Sequence, residues 1–140
     1  RGVLLSCLPT YTVYYTLPFD KNIRLERDYD AFASFQVFEH LGDPLSTFQL
    51  LYNVCRENAY GIINGPNGLQ VFFAQVLYQQ VILQHINYYT PMSLYTLAQR
   101  ADFIVEELKS DDAEIEMNLY CRKPGASVSM NERRAQERSV

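Results

Sequence analysis

Residues 28–41 read DYDAFASFQVFEHL. Taken at helical spacing, Tyr29, Phe32, Phe35 (or Val37) and Phe38 fall on one side. That pattern predicts an amphipathic helix from about Asp28 to Leu41. Gly42 is placed to end it. Asp43-Pro44 then supplies an N-cap residue followed by proline at the first helical position. The second predicted helix carries the stripe Leu45, Phe48, Leu51, Tyr52, Cys55 and Ala59. Asn64-Gly65-Pro66-Asn67-Gly68 is a turn.

From Asn58 to Gln99 there is no Asp, Glu, Lys or Arg. Within this run a third helix is predicted over about Leu69 to Tyr88, apolar on more than one face. Its polar residues are nearly all glutamine: Gln70, Gln75, Gln79, Gln80 and Gln84, with His85. A helix so poor in charge is enclosed on most sides, by its own fold, by a partner subunit or by lipid. Five glutamines argue against a transmembrane span, because each amide would need an internal partner in hydrocarbon. Thr90-Pro91 repeats the cap-plus-proline signal and opens a fourth helix to about Lys109, with the stripe Leu94, Leu97, Ala101, Ile104 (or Val105) and Leu108.

Short linkers join these helices, so the expected fold is mainly α, an antiparallel bundle of about four helices with strand-like N- and C-terminal segments. Leu8–Leu17 and Glu114–Arg122 alternate at period two and read as those strands. They would pair with each other or add to a sheet edge elsewhere. The expected organisation is an extended arm over 1–27, the bundle over 28–110, a strand within 111–122 and a flexible charged tail over 123–140.

The chain has 140 residues, net charge −4, 11 Tyr, 8 Phe and no Trp. Its length and apolar content suit one globular domain. The negative charge argues against a dedicated nucleic-acid binder. Three cysteines, Cys7, Cys55 and Cys121, are odd in number and widely spaced, and no Asn-x-Ser/Thr occurs. These features favour a reducing intracellular compartment, the cytoplasm or an organelle matrix such as the mitochondrial one. A chain that begins at Arg1 fits a processed product, a fragment or an incomplete chain, and a removed organelle-targeting segment is one explanation.

No motif points to catalysis. Cys55 sits on an apolar stripe and reads as a buried structural thiol. His40 suits the C-terminal end of the first predicted helix, and His85 reads as a hydrogen-bonded core or interface residue. The two histidines are far apart in sequence. Asp20, Glu26, Asp28 and Asp30 lack calcium-loop order. Gly61, Gly65 and Gly68 make no phosphate loop. No catalytic, cofactor-binding or metal residue is therefore expected, and no cofactor.

The expected function is a non-catalytic structural or accessory subunit of a larger assembly, acting through contacts with other protein subunits. Alternatives are a helical lipid or small hydrophobic-ligand binder and a peripheral subunit of an organellar membrane complex. Lipid contact is thus allowed, a transmembrane span is not expected, and no nucleic-acid partner is expected. The interface candidates are Tyr11, Tyr14, Tyr15, Gln75, Gln79, Gln80, Gln84, His85, Tyr88 and Tyr89. Asp102, Glu106, Glu107, Asp111, Asp112, Glu114 and Glu116 form an acidic block, and Arg122, Lys123, Arg133, Arg134 and Arg138 a basic end.

Overall fold

A computed structural model describes residues 2–7, 10–14, 28–73, 85–110 and 115–126. Its centre is a sheet, not a helical bundle. Among the described residues there are six strands: β1 (Gly2–Cys7), β2 (Thr10–Tyr14), β3 (Tyr29–Phe35), β4 (Cys55–Pro66), β5 (Ile104–Ser110) and β6 (Glu116–Arg122). They lie in the order β2-β1-β3-β4-β6-β5. β3 and β4 run parallel; the other neighbours are antiparallel. The described helices are α1 (Pro44–Val54), α2 (Gly68–Phe73) and α3 (Pro91–Arg100), with a 3-10 turn over Phe38–His40.

The expectation of a mainly α bundle is therefore wrong, and residues 28–41 show why. Tyr29, Phe32 and Phe35 recur every third residue, which a helix also satisfies. The burial of β3 instead alternates toward its end, with Phe32 and Ser34 buried and Phe35 exposed. Small residues at Ala31, Ala33 and Ser34 hide that alternation from a hydrophobicity reading. Pairing to β1 on one side and β4 on the other fixes the strand, and such pairing overrides local helix preference. Gln36 leaves the strand with φ 54, and the chain then makes only the short 3-10 turn.

The second helix starts as expected. The Asp43 carboxylate accepts the Ser46 amide at 3.0 Å and the Ser46 hydroxyl at 2.6 Å. These bonds hold the Asp43 pKa below the ordinary carboxylate value. The helix ends at Val54, so Cys55 and Ala59 belong to β4. The fourth helix also starts as expected, with Thr90 and Ser93 forming a reciprocal cap. It stops at Arg100, Asp102 adopts φ 67, and the residues expected to continue it form β5. Of the third expected helix, α2 covers only Gly68–Phe73 and residues 85–90 are not helical; residues 74–84 lie outside the described residues. Among the described residues, no helix is long and apolar enough to cross a membrane.

The C-terminal strand is where the alternation placed it, with Met117, Leu119 and Cys121 buried. It pairs with β4 and β5, while β2 pairs with β1, so the terminal strands share a sheet without touching. The crossover β3-α1-β4 follows from the parallel pairing, which a tight hairpin cannot join. Phe48 and Leu51 of α1, and Leu94 and Ala98 of α3, join Phe32, Ile63, Met117 and Leu119 in one core. Phe103 sits at its middle, edge-on to Phe32 at 5.5 Å and to Tyr52 at 5.3 Å between ring centroids. The charge blocks meet in part: the Arg122 guanidinium donates to Glu106 at 2.6 Å.

Candidate functional site at the carboxyl ends of the parallel strands

In an open α/β sheet, ligands bind where chain segments diverge beyond the carboxyl ends of parallel strands. Here those ends are Phe35 of β3 and Asn64–Pro66 of β4, with Phe35 opposite Asn64. A polar ladder fixes them. The Gln36 amide donates to the Asn64 carbonyl at 3.1 Å, and the Gln36 side chain to Asn64 Oδ1 at 2.9 Å. Asn64 Nδ2 in turn donates to Glu116 Oε2 and Asn118 Oδ1, each at 3.1 Å. The ladder places the 3-10 turn beside β4, so that a Cβ on Gly65 would stand 3.7 Å from Glu39 Oε2.

Residues 85–90 close over this turn. The Glu39 carbonyl accepts the amides of Ile86 at 2.9 Å and Asn87 at 3.0 Å. Asn87 Nδ2 donates to the Leu41 carbonyl at 2.6 Å. The Tyr89 hydroxyl donates to the Phe38 carbonyl at 3.4 Å. The Gly68 amide donates to the Tyr89 carbonyl at 2.7 Å, tying in the start of α2.

These bonds bring three ionisable side chains together. The His40 and His85 ring centroids lie 4.8 Å apart, and His85 faces Tyr88 at 6.1 Å. Glu39 Oε1 is 3.5 Å from His40 Nε2. One potential ligand atom from each of Glu39, His40 and His85 falls within 4.8 Å of the others. The Glu39 side chain is 1% exposed and that of His40 7%. A carboxylate so far from water requires compensating positive charge or donors. The imidazoles can supply either. Burial, and then the nearby Glu39 charge, raise the Tyr89 pKa, so this hydroxyl stays a donor.

Of the interface candidates, His85 is buried and Tyr88 and Tyr89 are half-buried against this cluster. Tyr11 and Tyr14 lie in β2. Tyr15, Gln75, Gln79, Gln80 and Gln84 lie outside the described residues. Sequence reading missed Glu39 and the meeting of the histidines. The available signal was an ionisable pair set inside an apolar run, Val37-Phe38-Glu39-His40-Leu41. Cys55 and Cys121 make no rival site. Cys55 and Cys121 are buried, and burial, with Cys55 and Glu106 nearby, raises the Cys121 pKa, which removes its thiolate.

Solved structures with a similar fold include several methyltransferases. A chain of the Haloferax volcanii complex between the Trm112 methyltransferase activator and a methyltransferase superposes with a TM-score of 0.59 at 13% identity, over 81% of this chain and 60% of that one. A SAM-dependent methyltransferase from Aquifex aeolicus gives 0.59 at 15% identity, over 80% and 54%. Another from Thermotoga maritima gives 0.57 at 15% identity, over 73% and 60%. The chain thus spans less than two-thirds of the length of each, and at these identities the likeness is one of fold. No curated protein matches it significantly in sequence. Residues 15–108 match the family described as a methyltransferase domain. This match overturns the expected non-catalytic structural subunit and points to an enzyme. It also leaves the lipid-binder and peripheral membrane-subunit alternatives without support. Because it covers more than half of the sequence, the chain belongs to the methyltransferase-domain family.

Proposed function

We propose that this chain forms the carboxyl-edge wall of a methyltransferase active site, with S-adenosylmethionine as methyl donor. The observation that carries the reading is the buried Glu39-His40-His85 cluster at the ends of the parallel pair, in a chain of this family. The donor identity is drawn from the Aquifex and Thermotoga proteins, which are described as SAM-dependent.

The residues fit one side of such a donor. Gln36, Val37, Phe38, the end of β4 at Asn64–Pro66 and the following Asn67 supply a wall that is polar at the strand ends and apolar behind. The chain spans less than two-thirds of the length of the similar methyltransferases, so the described residues are read as one wall of the site. When bound, the donor supplies a methyl group activated by a sulfonium.

The chain's own residues do the positioning. Gln36 and Asn64 hold the strand ends in register. Glu39, His40 and His85 place charge and proton-holding groups beside the crevice, where burial strengthens their fields. Tyr89 remains a hydrogen-bond donor. Association with other protein subunits is part of the same proposal, by analogy with the Haloferax complex.

Calorimetric titration of the protein with S-adenosylmethionine, its demethylated product and ATP tests the reading. Saturable binding of the first two, with none of ATP, is expected. No binding of either sulfur compound would overturn it.

A further inference from the structure

We propose that Glu39, His40 and His85 form a binding site for one divalent transition-metal ion, with Zn²⁺ the best match. The donor set is one carboxylate and two imidazoles, drawn from a 3-10 turn and from the segment that closes over it. Such a set is used for zinc in hydrolytic sites and for other divalent transition metals. Imidazole donors select against Mg²⁺ and Ca²⁺, which prefer oxygen.

The geometry agrees. Zinc bonds of about 2.0 Å at tetrahedral angles put neighbouring ligand atoms about 3.3 Å apart. Glu39 Oε1 and His40 Nε2 already stand 3.5 Å apart, and one donor atom from each of the three residues lies within 4.8 Å of the others. The chain has just two histidines, and both are in this cluster although they are distant in sequence. The backbone holds them there: the Glu39 carbonyl receives the amides of Ile86 and Asn87, directly after His85. These backbone bonds fix the turn and the segment that carries His85 relative to one another, and a metal site needs its ligands held in that way.

Three protein ligands leave a coordination position open. In a methyltransferase site such a position suits an oxygen of the methyl acceptor. This last step rests on the proposed function; metal binding does not.

The test uses the chelator-stripped protein and Zn²⁺ alone, in competition with a chromophoric chelator and without S-adenosylmethionine. One Zn²⁺ per chain is expected, with affinity reduced at least about tenfold in each of Glu39→Gln and His85→Ala, as losses at metal sites commonly are. Because a variant could fail to fold, Co²⁺ is added to the unaltered protein, where the visible absorption of a low-coordinate cobalt centre is expected. No stoichiometric Zn²⁺ and no such absorption would overturn the proposal, as would a folded His85→Ala that binds Zn²⁺ like the unaltered protein. Metal binding without donor binding would leave this site standing and remove the methyltransferase reading; the converse would remove this site alone.

Discussion

The Glu39 carbonyl accepts the Asn87 amide at 3.0 Å, and Asn87 answers with its side chain, donating to the Leu41 carbonyl at 2.6 Å. One residue thus staples the 85–90 segment to the middle of the 3-10 turn at Glu39 and to Leu41 just beyond it. His85 reaches His40 because of that staple. Asn87→Ala keeps the backbone bond but leaves the Leu41 carbonyl without its side-chain donor, next to a side chain that is only 4% exposed. A loss of about 1–2 kcal/mol is expected from such a bond, read from urea unfolding at constant slope. An unchanged midpoint would mean the staple contributes nothing.

Gly61 is where β4 passes the Phe32 ring. A Cβ there would overlap that ring, and Phe32 is buried in the core. Gly61→Ala should cost about 1–3 kcal/mol through overpacking. Adding Phe32→Leu should recover part of it, giving a coupling energy in a double-mutant cycle. Additive losses would show that the two residues are not in contact.

Phe48 ties α1 into the core, 4.6 Å from Phe38 and 6.0 Å from Phe103 between ring centroids. It is fully buried. Phe48→Ala should destabilise by about 3–5 kcal/mol. A loss under about 1 kcal/mol would contradict the packing, given the usual cost of an emptied core site.

Asp43 makes stability depend on pH at the acid end. Its folded pKa is lowered from 3.8 by the Ser46 hydroxyl and then by the Ser46 amide. The unfolded chain binds the proton more readily, so the contribution is complete above 3.8 and is lost as pH falls through the lower folded value. Asn caps a helix about as well as Asp but carries no charge. The stability of the unaltered protein should therefore fall more steeply than that of Asp43→Asn as pH drops below 3.8. Parallel curves would show that the carboxylate is not held by Ser46.

What could be read from the sequence was local. Both proline-capped helix starts, at Pro44 and Pro91, and the alternation of Met117, Leu119 and Cys121 report on bonds and faces within a few residues. β3 depends on long-range pairing to β1 and β4. Its aromatic spacing also fits a helix, so local periodicity chose the wrong element and with it the wrong architecture. The boundary at Arg100 failed in the same way: Ile104, Val105 and Leu108 continue a helical stripe, yet Asp102 at positive φ turns the chain into β5. The candidate site was hidden for a related reason. Glu39, His40 and His85 converge only through backbone bonds between segments far apart in sequence, and neither histidine carries a spacing motif that announces this. Glutamine-rich and tyrosine-rich segments drew attention to surfaces instead of to the strand ends.

Amide hydrogen exchange of the protein with and without S-adenosylmethionine asks most directly whether the carboxyl ends of β3 and β4 are the functional site. Slowed exchange at residues 36–41 and 64–68 on addition of the donor is the predicted result. Donor binding that slows exchange elsewhere and leaves both segments unchanged would contradict it.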